Sequence, residues 1–154
     1  MTLIRKACSD RTHSKTLFLD PANSGGHHFY QTDGASVPQS VEAIAIDDYF
    51  GDPPPRIDFV KMDIQGYEPV ALAGMEKTLR ANPGAVLITE FHPMMMAASG
   101  GSPEAFIRKI LSFGFEIRPL LDWPAGDALN DPRALIALCG EGDFINLYCA
   151  RRSS

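Results

Sequence analysis

The stretch from Ile57 to Pro69, IDFVKMDIQGYEP, constrains the fold more than any other part of the chain. Residues 57–64 are dense in apolar side chains, as a strand covered on both faces requires. Gly66 then permits a sharp turn. The next segment, EPVALAGMEKTLRANPG, places Leu72, Met75 and Leu79 three and four apart, which predicts a helix over 68–84. Asn82-Pro83-Gly84 stops it. A second apolar strand is expected at 85–91. A helix follows from Ser102 as N-cap and Pro103 at the first helical position to Gly114. Strands are expected at 115–120 and 143–150, with a polar loop over 122–142. Strand and helix alternating in this way predict an α/β fold with a mostly parallel sheet. The last strand follows a loop without a clear helix, so it is free to run antiparallel.

Upstream, strands are expected at 2–8 and 41–46. TLFLD (16–20) and HHFYQ (27–31) flank PANSGG and read as an inserted β-hairpin. With 154 residues, 45% hydrophobic and 21% charged, the chain suits one domain with a real core. A net charge of −5, with Arg151-Arg152 as the only basic cluster, argues against nucleic acid as a partner. No apolar run approaches membrane-spanning length, and charges by Arg5 leave no signal-peptide core. Cys8, Cys139 and Cys149 form no CxxC pair and no metal spacing, so reduced thiols and a cytoplasmic location are expected.

In open parallel sheets ligands bind beyond the carboxyl ends of the strands. Lys61 and Asp63 stand at such an end and, two residues apart, share a side. Glu68 opens the following helix, where negative charge is favoured. TEFHP ends the next strand, so Asp63 and Glu90 are expected to face one crevice as general base and substrate clamp. The plain structural reading stays open: Asp63 bonding turn amides, Lys61 pairing with it, Glu68 starting a helix. Asp63, Glu90 and His92 as a metal set lack any dense ligand motif, and no metal is expected. Met94–Met96 reads as packing or a lid segment rather than a thioether site. There is no GxGxxG, Walker lysine motif, GxSxG elbow or HExxH.

KMDIQGYEPVALAGM closely resembles the signature of FkbM-type S-adenosylmethionine-dependent methyltransferases, through Lys61, Asp63, Gln65, Gly66, Glu68, Leu72 and Gly74. AIDDYF, with Asp47 and Asp48, resembles the family's Leu-Asp-Asp-Tyr segment; TEFHP and INLYC, with Asn146, resemble its later strand ends. The resemblance implies a class I methyltransferase (Rossmann-like) fold and S-adenosylmethionine as cofactor. It further implies methylation of a hydroxyl on a sugar or natural product. It places Asp63 near the transferred methyl and the substrate, with Glu90 across the crevice and Asp10 on the adenine side. The family's glycine-rich strand-loop-helix is not matched. The expectation is therefore a single domain, 1–154, that lacks the cofactor-binding βαβ unit and holds an incomplete cofactor site.

On this basis Asp63 is expected to act as base or positioner, Glu90 as clamp, and Lys61 as electrostatic partner of Asp63. Asp63 and Asp10 are expected to touch cofactor, and Glu68 and His92 substrate. The bare edge of strand 57–64 is expected either to receive strand 2–8 or to pair two chains into a homodimer. The rival reading is a non-catalytic α/β module that binds a ligand or partner chain.

Overall fold

A computed structural model describes residues 2–22, 25–31, 36–121 and 126–151. The middle of the PANSGG loop and the start of the 122–142 loop lie outside the described residues. The elements are β1 (Ala7–Cys8), β2 (His13–Leu19), β3 (Val37–Ile44), α1 (Ile46–Phe50), β4 (Phe59–Met62), α2 (Glu68–Ala73), α3 (Glu76–Ala81), β5 (Val86–Phe91), α4 (Pro93–Ala98), α5 (Pro103–Ser112), β6 (Glu116–Leu120), α6 (Pro132–Leu138) and β7 (Ile145–Ala150).

They form two sheets, ordered β1-β3-β2 and β4-β5-β7-β6. The expectation of a mostly parallel sheet is corrected here, because both sheets are mixed. β4 and β5 run parallel, but β7 lies between β5 and β6 and is antiparallel to both. The cause is the path of the chain. It leaves β6 at Leu120 and re-enters β7 beside it, with Leu120 paired to Asn146, so the strand must run back. β7 is central because Ile145, Leu147 and Cys149 bury one face. That face packs with Leu87, Phe91, Phe106, Ile107, Ile110 and Ile117 in the core.

The amino-terminal half also departs from expectation. β2 pairs along its length with β3, from His13↔Ala43 to Leu19↔Val37. The 27–31 segment makes only an isolated bridge, Phe18↔His28. β1 is short and pairs with β3. It does not cover the edge of β4, which has no strand partner on that side among the described residues. Ile46, expected to end the preceding strand, instead opens a short helix over Ile46–Phe50.

The helix expected over 68–84 is two helices. Gly74 breaks it: a Cβ there would stand 1.9 Å from the Ser9 carbonyl oxygen. The Asp47 amide donates to Gly74 O at 2.9 Å. Asp47 also caps α3 from a distance. Its carboxylate accepts from the Lys77 and Thr78 amides at 2.9 and 2.8 Å and from Thr78 Oγ1 at 2.7 Å. An N-cap carboxylate satisfies amides that the helix itself cannot. Asp47→Ala is therefore expected to cost about 1–2 kcal/mol in urea unfolding.

Arg151, half of the basic cluster, is a structural clamp. It donates to Phe113 O, Asn82 O and Leu79 O at 2.7, 3.0 and 3.0 Å, so its charge meets the carboxyl ends of α3 and α5. Cys139 and Cys149 are buried and all three thiols are free. Burial pushes the Cys139 thiol up to about 11 and raises Cys149 as well, so both stay protonated and unreactive. No helix among the described residues is long and apolar enough to cross a membrane.

Candidate active site

β4 and β5 end side by side, with Met62 paired to Thr89. Asp63, just past the end of β4, and Glu90, near the end of β5, are therefore the next residues of neighbouring strands. Across the sheet, Glu90 is paired with Asn146 of β7. Lys61 Nζ donates to Asp63 Oδ2 at 3.2 Å and to Asn146 Oδ1 at 3.4 Å. Gln65 Nε2 donates to the other Asp63 oxygen at 3.3 Å. One rim thus holds Lys61, Asp63, Glu90 and Asn146. The sequence places the first three there. Asn146 carries no site role in that reading, although INLYC is its visible signal.

The two rim carboxylates differ in environment. The Asp63 side chain is 48% exposed and ion-paired with Lys61. Glu90 is 7% exposed, and its Oε2 has no hydrogen-bond partner. Burial, then the charges of Asp63 and Glu68, push the Glu90 carboxyl up to about 7, against an opposing pull from Lys61. A carboxyl so placed exchanges protons near neutrality, which general acid–base chemistry needs.

Glu68 lies beneath the turn rather than open to the crevice. It is fully buried, and its Oε1 accepts the Ile64 amide at 2.8 Å. Burial raises its carboxyl, against the Ile64, Glu68 and Gly66 amides. Above it, Gln65 and Gly66 both take positive φ, 57° and 87°. α4 closes the turn from outside, where Ser99 Oγ donates to Gly66 O at 2.7 Å. Of Met94–Met96, Met96 is in the core and Met94 is exposed.

His92 caps α4. Its Nδ1 accepts from the Met95 amide at 3.4 Å, and burial holds the imidazole below its usual range. Asp10 stands exposed just past β1, accepting from Ser9 Oγ at 3.1 Å. It follows a strand of the other sheet and lies beside Gly74 rather than on the Asp63–Glu90 rim. Among the described residues no three His, Cys, Asp or Glu side chains come together as a metal set. A pocket of about 320 Å³ runs along the free side of β4, lined by Phe50, Phe59, Val60, Lys61, Met75 and Leu79 among others. It adjoins the rim at Lys61 and Ile64.

The fold and rim define an α/β protein that gathers acidic side chains at the carboxyl ends of two parallel strands. The methyltransferase FkbM domain model matches residues 1–117, and the chain belongs to that family. No curated protein and no solved structure matches the chain.

Proposed function

We propose that the chain is the substrate side of an S-adenosylmethionine-dependent O-methyltransferase acting on a hydroxyl of a sugar or natural product. Family membership supports methyl transfer. The observation that carries the oxygen acceptor is Glu90: a buried carboxyl with an unpartnered oxygen, poised near pH 7. A hydroxyl must lose its proton as the methyl arrives, and such a carboxylate can take it.

The residues present suit a cationic cofactor. Asp63 stands open at the rim, and a sulfonium is favoured beside a carboxylate. Asp63 is the rim residue proposed to hold it, and Asp10, past β1 of the other sheet, is proposed to lie on its adenine side. When bound, S-adenosylmethionine supplies the methyl group. Glu90 accepts the hydroxyl proton at Oε2. Asp63 orients the hydroxyl, and Lys61 and Gln65 hold Asp63 in place. This exchanges the roles expected of the two carboxylates, because Asp63 is open and ion-paired whereas Glu90 is buried. His92 is proposed to edge the substrate through its neutral ring.

Calorimetric titration of the chain with S-adenosylhomocysteine tests the reading. Micromolar binding is expected, weakened in Asp63→Asn. No heat from a folded chain would overturn it.

One observation favours a second reading. The unpaired edge of β4 beside an apolar pocket suits strand pairing, either between two copies or with a partner chain. Sedimentation of the same sample distinguishes them: a dimer that binds no S-adenosylhomocysteine supports the non-catalytic module.

A further inference from the structure

We propose that Glu68 is a positioning residue, which fixes the 63–67 turn from beneath and so sets how Asp63 stands against Glu90. The inference rests on the methyltransferase reading for its purpose, but not for its test.

A turn with two consecutive positive-φ residues, Gln65 and Gly66, is not a conformation a free chain keeps. Something must hold it. Outside, Ser99 binds Gly66 O, and a Cβ on Gly66 would stand 2.6 Å from the Met95 carbonyl. Inside, the fully buried Glu68 side chain takes the Ile64 amide; burial raises its carboxyl, and the Ile64, Glu68 and Gly66 amides oppose that. Asp63 sits at the start of this turn and Glu90 three residues before the helix that covers it. The turn therefore joins the two rim carboxylates mechanically.

A buried carboxylate is a costly way to hold a turn. A glutamine offers the same acceptor oxygen without the desolvation of a charge. What glutamine lacks is the charge itself, and the Glu68 charge acts on Glu90. Glu68 Oε2 has no partner that would neutralise it. The charged and titratable groups around the pair are Asp63 and Lys61 from the end of β4 and Tyr30 from the segment before β3. Lys15 of β2 is engaged by Tyr67, through its hydroxyl and its ring. Glu68 thus combines a hold on the turn with a carboxyl that, when ionised, raises Glu90 in turn, while burial raises Glu68 itself.

The test uses carbon-13 NMR of the side-chain carboxyls and amide exchange on the full chain. Glu68→Gln is expected to keep slow exchange at Ile64 while lowering the Glu90 midpoint by roughly half a unit or more. Glu68→Ala is expected to speed exchange at Ile64 and Gly66 by about tenfold or more. An unchanged Glu90 midpoint in Glu68→Gln would overturn the proposal, as would unchanged exchange in Glu68→Ala. Should the alanine variant not fold, Glu68→Gln decides alone. A purely structural side chain would leave the Glu90 midpoint in place. Neither readout needs cofactor or acceptor, so a failure of S-adenosylhomocysteine to bind leaves this test intact.

Discussion

Gly66→Ala is expected to destabilise the chain by about 3 kcal/mol and to disable the rim. Two costs add. A non-glycine residue at φ 87° loses roughly 1–2 kcal/mol to its own backbone. Its Cβ would also stand 2.6 Å from both the carbonyl carbon and oxygen of Met95, and 2.7 Å from Met95 Cβ. Backbone cannot turn aside as a flexible side chain can, so α4 must move, at about 1–3 kcal/mol. That shift would stretch the Ser99–Gly66 hydrogen bond and carry His92 with it. Gly100 supplies the control. It has φ 85°, but nothing lies within 4 Å of a built Cβ. Gly100→Ala should therefore show the backbone cost alone. Urea unfolding of both variants, with S-adenosylhomocysteine titration of whatever remains folded, separates strain from contact. Equal losses in the two would sink the claim that α4 rests on this glycine.

The elements legible in the sequence are those that carry a local signal. β4, β5, β6 and β7 announce themselves by apolar density or alternation. α5 does so by Ser102, whose Oγ accepts the Ala105 amide at 3.2 Å, and by Pro103 behind it. The same pairing of cap and proline precedes two helices that periodicity misses. His92-Pro93 opens α4, and Asp131-Pro132 opens α6, where Asp131 accepts the Arg133 amide at 2.9 Å. Both helices are too short to show a repeat, so the cap was the readable sign. The break at Gly74 was not readable, because the residues that enforce it are Ser9 and Asp47, far away in the chain. The β2–β3 pairing was hidden by Val37–Ser40, an exposed run with no apolar alternation. For the site, the residue types at the rim were legible. Their division of labour was not. Nothing in the letters distinguishes an exposed, ion-paired Asp63 from a buried Glu90; tertiary burial alone does.

Glu90→Gln is expected to abolish methyl transfer and yet stabilise the chain above neutral pH. In the folded chain the Glu90 carboxyl holds its proton up to about 7. In the unfolded chain it loses it near its ordinary value, about 4.3. Between those limits the unfolded state ionises freely while the folded state does not. Folding stability contributed by the neutral carboxyl is thus full below the unfolded value and is lost as pH rises through about 7. Glutamine has no proton to lose. The variant should match the wild type near pH 4, gain on it through the window, and keep a constant advantage above it. Catalysis follows the opposite sign, since only the ionised carboxylate can accept the hydroxyl proton. Wild-type turnover should fall tenfold for each pH unit below the Glu90 midpoint and level off above it. The glutamine variant should lose about 10²- to 10⁴-fold throughout. Urea titrations at pH 5 and pH 8 give the stability half before any acceptor is known. Turnover with a hydroxyl acceptor gives the other. A variant no more stable than wild type at pH 8 would show that Glu90 is not held neutral by its surroundings. The proton would then have to go to another acceptor, and turnover would no longer track the Glu90 midpoint.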